Sequence, residues 1–401
     1  MNDRELSPRE ALALPLILPC GVRLKNRLIK AAMSDSLGDG AGNATRPQAR
    51  LYERWAEGGA ALSLIGEVQT SPSHPEKPGN LVLTPDADLE ALRELATRGA
   101  AHGARLWPQL GHAGALSHPP ISQPKGPSPL DVEGLHCAGL TLSEIEALPG
   151  AYARAAALAK QVGFDGVQIH AGHGFLFSQF LSPLFNRRTD GYGGSIANRF
   201  RVIGMTLDAV RAAVGPAFPI GIKINATDKL VGGFDESAAL DVVRMLDHTS
   251  VDLIDISGGT YFPGAPASSD GTSAKGPYFA EFAKRARRVT TIPVMLTGGI
   301  ATRDHAFAVL RSGAADAVGL ARTMALNPTL ARAWLSAEGG DPAYPTFDAP
   351  PRGGVTAWYS MRLTALAEGT EAQFAPSVSE ALSAYDSRDA ERCARWLKRF
   401  A

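Results

Sequence analysis

The chain has 401 residues, of which 45% are hydrophobic and 20% are charged, and its 40 basic residues balance 40 acidic ones. This composition is typical of a globular protein with a full core, and the balanced charge favours neither a nucleic-acid partner nor an anionic membrane surface. The three cysteines, Cys20, Cys137 and Cys393, have no CxxC or zinc-ligand spacing, which favours a reducing, cytoplasmic setting. The N-terminal apolar run is broken by Pro15 and Pro19, unlike a secretory signal, and no apolar stretch is long enough to cross a bilayer. We therefore expect a soluble protein.

Eight short runs are nearly continuous in apolar residues and predict buried parallel strands. In chain order they are Arg27–Met33, Ala60–Ile65, Ala104–Leu110, Gly166–His170, Ile220–Ile224, Leu253–Ile256, Val294–Thr297 and Ala317–Leu320. Amphipathic stretches between them predict helices at Ala87–Ala101, Leu142–Val162, Ile196–Val214, Ser237–His248, Tyr278–Arg288 and Arg303–Ser312. Thr141, Asp235 and Thr302 each precede a helical pattern as a capping residue.

This strand–helix alternation predicts an α/β fold, specifically a (β/α)₈ TIM barrel. The alternative, an open doubly wound sheet, lacks the GxGxxG that its first strand usually carries. The proline-rich segment His118–Cys137 predicts a loop or hairpin inserted after strand 3, over the C-terminal mouth of the barrel. We expect residues 1–340 to form the barrel. Residues 341–401 are expected to form a linker and a C-terminal helical extension (Val355–Glu368 and Ser377–Phe400) on the barrel or a neighbouring subunit.

The ends of strands 7 and 8 carry a combination of residues that suits a phosphate group. Barrels of this kind place their functional residues at the C-terminal strand ends. Gly298–Gly299 follows strand 7, and Ala321–Arg322 follows strand 8. Bare backbone amides, a helix start and a guanidinium together bind phosphate well. Glycines in tight turns beside a surface arginine would explain the same residues.

Gln109 and Lys223 are polar residues at the inner ends of the otherwise apolar strands 3 and 5. An unpaired amide buried there would cost roughly 2–7 kcal/mol, so both side chains need partners. The pyrimidine edge of a flavin needs an amide that donates and accepts, and a cation that stabilises the anionic reduced ring. The alternative is that Lys223 pairs with a carboxylate such as Asp255 and that Gln109 bonds to backbone. The two residues together with the phosphate site favour the flavin.

Strand 4 is followed by two histidines, His170 and His173, that can converge on one point. They could hold a metal ion, although no third ligand of suitable type is evident nearby. They could also donate two N–H hydrogen bonds to a carbonyl oxygen and polarise a conjugated alkene for hydride attack at its β-carbon. We favour the second interpretation.

From about Leu18 to Leu330 these residues and motifs resemble the Old Yellow Enzyme family of flavin-dependent ene-reductases. The densest similarity is GFDGVQIHAGHGFLFSQFLSPLFNRRTDGYGGSIANRFR at Gly163–Arg201, and KNRLIKAAM, QLGHAG, SGGTY and TGGI follow the family order. The resemblance implies FMN as cofactor and NADH or NADPH as reductant. It also implies reduction of the activated C=C bond of a small unsaturated carbonyl or nitro compound. The balanced charge predicts no nucleic-acid or membrane partner, and the C-terminal helices offer a contact surface for a homo-oligomer.

The resemblance also implies roles for individual residues. Ala31, Ala32, Met33 and Ser34 would line the flavin ring, Glu67 would offer backbone near N5 and O4, and Gln109 and Lys223 would bind the pyrimidine edge. Gly299, Ala321 and Arg322 would hold the phosphate, and His170 and His173 would bind the substrate carbonyl. Lys223 stands where many relatives have Arg, Ser34 where they have Thr or Cys, and Ala321 where they have Gly.

Three positions near the expected site depart further from the family pattern. Phe175 occupies the place of the usual Tyr that donates a proton to the α-carbon, so water or another group such as Tyr261 must supply that proton. Ala115 and Ser36 stand where relatives often have Arg and Tyr. A flavin-dependent isomerase or desaturase, and a quinone or nitro reductase, therefore stay open as alternatives. A non-redox lyase with Lys223 as a Schiff-base lysine is a further alternative.

Overall fold

A computed structural model describes residues 6–132, 134–263, 265, 276–336 and 339–401. Eight parallel strands close a barrel in which each strand pairs with the next along the chain and the last returns to the first. The strands are β1 (Leu28–Met33), β2 (Leu62–Gln69), β3 (Arg105–Gly111), β4 (Val167–Ala171), β5 (Ile220–Asn225), β6 (Leu253–Ser257), β7 (Val294–Thr297) and β8 (Ala317–Leu320). The predicted (β/α)₈ barrel is confirmed.

Helices surround the barrel and follow its strands. They are α1 (Pro8–Ala13), α2 (Arg46–Glu57), α3 (Leu89–Gly99), α4 (Leu142–Val162), α5 (Leu176–Leu181), α6 (Ile196–Val214), α7 (Glu236–Leu246), α8 (Ala280–Ala286), α9 (Arg303–Arg311), α10 (Arg322–Leu326), α11 (Leu330–Leu335), α12 (Gly354–Glu368) and α13 (Val378–Phe400). The side chains of Thr141, Asp235 and Thr302 accept hydrogen bonds from backbone amides of the first turn, as predicted. Caps of this kind satisfy amides that have no partner inside the helix.

The sequence interpretation is wrong at several element boundaries. β2 continues to Gln69 because a register shift between Ile65 and Val68 lets the strand resume beyond the predicted end. Helix α8 begins at Ala280 rather than Tyr278. Helix α2 was not among the predicted helices, although Thr45 caps it and Pro47 lies in its first turn, where a missing N–H costs nothing.

A short N-terminal hairpin closes the bottom of the barrel. Its strands, Leu16–Ile17 and Arg23–Leu24, pair antiparallel. Leu16 and Leu24 pack in one apolar cluster with Trp107 and Met295 of the barrel interior. The end of the barrel that remains for a site is the C-terminal one, where the loops after each strand lie.

The predicted insertion after β3 forms a small sheet. Its strands are Lys125–Gly126, Leu130–Val132 and Leu135–Gly139, and the last two pair as an antiparallel hairpin. Leu130 packs with Ala115, Phe185 and Phe262 in a separate apolar cluster. The insertion therefore stands against the loops that follow β3, α5 and β6.

The C-terminal helices pack back onto the barrel. Helix α12 contacts α2 and α10, and α13 contacts α12. On α13, Nη1 of Arg392 donates a hydrogen bond of 2.5 Å to the backbone oxygen of Ser36, in the loop after β1. In the described ranges no helix has the length and apolar character needed to cross a membrane.

Candidate active site

A chain of buried polar side chains links strands 3 to 7 inside the barrel. Gln109 Nε2 donates to Gln168 Oε1 at 2.6 Å, and Gln168 Nε2 donates to Asp255 Oδ2 at 3.3 Å. Lys223 Nζ lies 3.2 Å from the same Oδ2, and Thr297 Oγ1 donates to Oδ1 at 2.6 Å. The structure thus brings Gln109 and Lys223 into one network.

The partners within this network differ in part from the expected ones. Lys223 does pair with Asp255, which is the alternative that was left open, whereas Gln109 bonds to the Gln168 side chain and not to backbone. Gln168 was missed, although a polar residue between Val167 and Ile169 signals an inward-facing position. An ammonium has three N–H donors and a primary amide has two N–H donors and a carbonyl. The network therefore leaves hydrogen-bonding capacity for a further polar group.

The ends of β7 and β8 provide two glycines, which have no side chains to cover their backbone amides, and a cation. Gly298 and Gly299 have φ angles of 120° and 75°, which only glycine adopts readily. Arg322 begins α10, and its guanidinium carbon lies 5.8 Å from the centre of the Tyr359 ring. Because α10 has only five residues, the expected helix-dipole contribution at Ala321 is small. A phosphate here would depend on the glycine amides and Arg322.

The end of β1 is less buried than the ends of the other barrel strands. Ala31 is fully buried, whereas Ala32, Met33 and Ser34 are partly exposed. The Ser34 hydroxyl donates to Glu76 Oε2 at 3.0 Å. Glu76 was missed by the sequence interpretation because it lies in an irregular loop far along the chain.

His170 and His173 converge as predicted and contact each other directly. His170 Nε2 lies 3.0 Å from His173 Nδ1, and His173 Nε2 lies 3.0 Å from Ser257 Oγ. Burial, reinforced by the nearby Lys223 ammonium, holds the pKa of each imidazole well below its usual value. Both rings are therefore neutral near pH 7, and each carries one N–H to donate. Among the described residues no group of three His, Cys, Asp or Glu side chains could hold a metal ion.

The loop that carries His173 is fixed by its backbone. His173 has a φ angle of 58°, and its N–H donates to Asn225 Oδ1 at 2.9 Å. Asn225 in turn donates to Asp228 Oδ1 and to the backbone oxygen of Gly259, each at 2.8 Å. Sequence reasoning missed these supports, because only the register between β4, β5 and β6 brings them together.

Two aromatic residues flank the histidines. The Phe175 ring is 4% exposed and lies 4.9 Å from the His170 ring, measured between centres. Tyr261 is 49% exposed, and its ring lies 6.1 Å from that of His173 and 5.9 Å from that of Phe175. Phe175 thus occupies the buried side of the histidine pair, and Tyr261 the open side.

Glu67 reaches the histidines with its side chain. Its Oε1 lies 2.5 Å from His170 Nδ1, and both side chains are almost fully buried. Burial raises the pKa of the Glu67 carboxyl to about 8, although the Lys223 ammonium opposes that rise. The sequence interpretation assigned Glu67 a role through its backbone only and missed this contact.

The donor set at this mouth fits FMN. Gln109 and Lys223 stand in one network with capacity for the pyrimidine edge, and the glycine amides and Arg322 at β7 and β8 suit the phosphate. Neutral His170 and His173 lie on the same rim. FMN would be held by these groups, and it would supply the hydride chemistry that none of the side chains can perform.

The fold and this donor set place the protein in the class of flavin-binding (β/α)₈ barrels. A sequence model of the NADH:flavin oxidoreductase / NADH oxidase family matches residues 15–335. The chain belongs to that family, the Old Yellow Enzyme family that the sequence motifs resemble. Membership brings FMN as the cofactor and NADH or NADPH as the reductant.

Relatives of this chain include longer proteins as well as proteins of similar size. It is 33% identical over 356 residues to the NADH-dependent flavin oxidoreductase iliE of Hypocrea jecorina, covering 79% of this chain and 87% of the relative. It is 35% identical over 354 residues to the iliE protein of Neonectria sp., covering 79% of this chain but only 46% of that relative. The structure of morphinone reductase matches with a TM-score of 0.71 at 28% identity, over 83% of this chain and 91% of that one.

Proposed function

We propose that this protein reduces the activated C=C bond of α,β-unsaturated carbonyl or nitro compounds, with NADH or NADPH as the electron source. The observation that carries the proposal is the pair of neutral, buried imidazoles in direct contact, His170 and His173, at the mouth of a flavin-type barrel. Two N–H donors held together in this way can bind one carbonyl oxygen. The morphinone reductase similarity supports a small unsaturated acceptor.

Each group at the mouth has a distinct task in this reaction. Bound FMN would supply the hydride chemistry that links oxidation of the nicotinamide to reduction of the acceptor at its β-carbon. His170 and His173 donate to the carbonyl oxygen and stabilise the negative charge that develops there. Lys223 and Gln109 bind the pyrimidine edge of the cofactor. The reaction is completed when one proton reaches the α-carbon, so that NAD(P)H and a proton yield NAD(P)⁺ and the saturated compound.

The source of that proton is unusual because Phe175 has no proton to give. Tyr261 is the hydroxyl on the open side of the site, and water can enter from the same side. A second function follows from Phe175: a quinone or nitro acceptor needs no proton at carbon and would be reduced without a donor at this position. The lyase alternative is disfavoured, because a Schiff-base lysine needs a free amine, whereas Nζ of Lys223 is engaged by Asp255 Oδ2 at 3.2 Å.

The test is turnover of the FMN-loaded protein with 2-cyclohexenone in the absence of oxygen. We expect one cyclohexanone to form for each NAD(P)H consumed. In His170→Ala and His173→Ala, we expect kcat/KM for the enone to fall by about 10²–10³-fold, as when one oxyanion donor is removed. The FMN content of each variant, measured from its absorption spectrum, separates loss of cofactor from loss of chemistry. Oxidation of NAD(P)H by quinones with no saturated ketone would reject ene-reduction in favour of the second function.

A further inference from the structure

The side chain of Glu67 crosses over β3 to reach β4. Glu67 lies on β2 and His170 on β4, and β3 ends between them at Gly111. A β-carbon on Gly111 would lie 2.8 Å from Glu67 Oε2, so the carboxyl occupies space that any other residue at 111 would fill. The backbone of Glu67 has a φ angle of 55°, which costs free energy in any residue with a side chain. The contact between Glu67 and His170 thus depends on the relative positions of β2, β3 and β4.

The position of the proton in this contact decides what His170 can do. A neutral imidazole has one N–H, on either Nδ1 or Nε2. If Glu67 were ionised, the ring proton would be drawn to Nδ1, which faces the carboxylate. His170 Nε2 would then hold a lone pair and could not donate to a carbonyl oxygen. If the pair holds one more proton between Oε1 and Nδ1, Nε2 carries an N–H and can donate.

The surroundings of the carboxyl favour the protonated pair. Within the described residues Glu67 Oε2 has no well-aligned hydrogen bond, and a buried carboxylate oxygen without one is costly. The Gln69 side-chain amide, like the Lys223 ammonium, opposes the rise in the pKa of the carboxyl without cancelling it. His170 Nδ1 lies 2.5 Å from Oε1 but makes no well-aligned N–H hydrogen bond. The N–H and the lone pair of a ring nitrogen point in the same direction, so it is the buried Oε2 without an aligned partner that favours a proton on the carboxyl.

We propose that Glu67 and His170 share one proton across the Oε1–Nδ1 contact, and that Glu67 is thereby the positioning residue that makes His170 Nε2 a hydrogen-bond donor to the acceptor. This role rests on the proposed function, since it concerns the group that binds the carbonyl. The shared proton also fixes which nitrogen of each histidine donates and which accepts. Without an acceptor, His170 Nε2 donates to His173 Nδ1, and His173 Nε2 donates to Ser257 Oγ. When a carbonyl oxygen binds, both Nε2–H groups leave these partners and donate to that oxygen.

Titratable groups from several elements, some of them charged, face this pair. They are Lys223 on β5, Asp255 on β6, His173 after β4, Glu76 after β2 and the Tyr152 hydroxyl on α4. Burial and Lys223 lower the pKa of His170, with Asp255 opposing, while burial raises the pKa of Glu67 to about 8. The shared proton therefore resides mainly on the carboxyl. It is present below about pH 8 and is lost above it, so His170 is a donor at neutral pH and an acceptor at alkaline pH.

The first experiment is the pH profile of kcat/KM for 2-cyclohexenone with three FMN-loaded proteins. In the unchanged protein we expect an alkaline limb that falls about tenfold per pH unit, as for loss of one essential proton. Glu67→Gln cannot ionise, and its amide N–H can donate to Nδ1, so the limb should disappear. Glu76→Gln is the matched control, because it removes a neighbouring carboxyl that does not contact His170. A limb that persists in Glu67→Gln, or that disappears in Glu76→Gln instead, overturns the proposal.

The second experiment does not depend on turnover. Protein labelled with ¹⁵N-histidine reports which ring nitrogen of His170 carries the proton, with His170→Asn used for assignment. We expect protonation at Nε2 at pH 7 and at Nδ1 at pH 9.5, and Nε2 at both values in Glu67→Gln. This shift without enone reduction would support the proton-sharing pair and reject the proposed function. Enone reduction with no shift in the unchanged protein would reject the pair, even if a variant failed to fold.

Discussion

The residue with the clearest chemical consequence is Phe175, whose ring lies 4.9 Å from that of His170. In the proposed reaction a phenylalanine there would leave the histidines able to bind a carbonyl, but it lacks the hydroxyl that the family resemblance implies at this position. Replacement by tyrosine adds a single oxygen to a buried ring whose centre lies 4.9 Å from that of His170 and 5.9 Å from that of Tyr261. Proton delivery can therefore be restored without changing the rest of the site.

We expect Phe175→Tyr to raise kcat for 2-cyclohexenone on the order of 10²-fold relative to its rate with a quinone, because a positioned general acid contributes at least that much. Product formed in D₂O, with deuterium at the α-carbon, would report the protonation step directly. Tyr261→Phe is the paired variant: it should lower the enone-to-quinone ratio if Tyr261 supplies the proton in the unchanged protein. An unaltered ratio in Phe175→Tyr would mean that protonation does not limit turnover.

Sequence reasoning located polar strand ends but not the side chains that meet there. Gln109, Lys223, His170 and His173 were recognisable because polar groups interrupt apolar strands. The link from Gln109 through Gln168 to Asp255, and the contact of Glu67 with His170, depend on register between neighbouring strands. Register is set by closure of the whole barrel, and the irregularity between Ile65 and Val68 moves Glu67 in a way that no local pattern encodes.

At the scale of elements, α13 connects the C-terminal end of the chain with two loops of the barrel mouth. Arg392 donates to the Ser36 backbone oxygen after β1, and its Nη1 lies 3.1 Å from the place of a β-carbon on Gly79, after β2. The amide of Gly38 also donates to the oxygen of Gly79. One arginine thus fixes two loops that border the Ser34 side of the site.

We expect Arg392→Met to loosen these loops and to lower the free energy of unfolding by about 1.5–3 kcal/mol, the usual contribution of a hydrogen bond to a charged group. Hydrogen exchange of residues 34–40 and 77–80 should become faster, and KM for the acceptor should rise. Lys398→Met removes a positive charge from the exposed face of the same helix and serves as the control. Equal exchange rates in the two variants would contradict the role given to Arg392.

The elements that sequence predicts best are those with local signals. Helices α4 and α6 have the predicted limits because each has a side-chain cap before it and a glycine after it. Helix α8 is shorter than predicted because Tyr278 donates its amide to Gly298 instead of entering the helix. Where a residue makes tertiary contacts outside the helix, the local sequence pattern predicts a helix that is too long.

At the scale of the whole molecule, the barrel is packed around Trp107, which is fully buried. A β-carbon on Gly166 would lie 2.6 Å from the indole ring, and one on Gly221 would lie 3.3 Å from it. The indole therefore occupies space left by glycines on the neighbouring part of the barrel. Interiors packed in this way respond to a single added methyl group.

We expect Gly166→Ala to lower the free energy of unfolding by about 1–3 kcal/mol, because the indole cannot move away without displacing other core residues. Gly204→Ala is the control: its β-carbon would approach Phe200 no closer than 3.4 Å, and alanine favours a helix by about 1 kcal/mol over glycine. Thermal midpoints measured at one heating rate should therefore move in opposite directions. If Gly166→Ala left the thermal midpoint unchanged, the barrel interior would have room for the added methyl group, and the packing argument would be wrong.

Three side-chain-bearing residues at the mouth, Ser36, Glu67 and His173, have left-handed backbone angles of 51°, 55° and 58°. Each such angle costs on the order of 1–2 kcal/mol. Glycine or asparagine at Glu67 or His173 would relax the chain but would remove the groups on which catalysis is proposed to depend. Thermal stability and turnover thus favour different residues at Glu67 and His173. We therefore expect variants selected only for thermal stability to replace these two residues early and to lose the proposed activity.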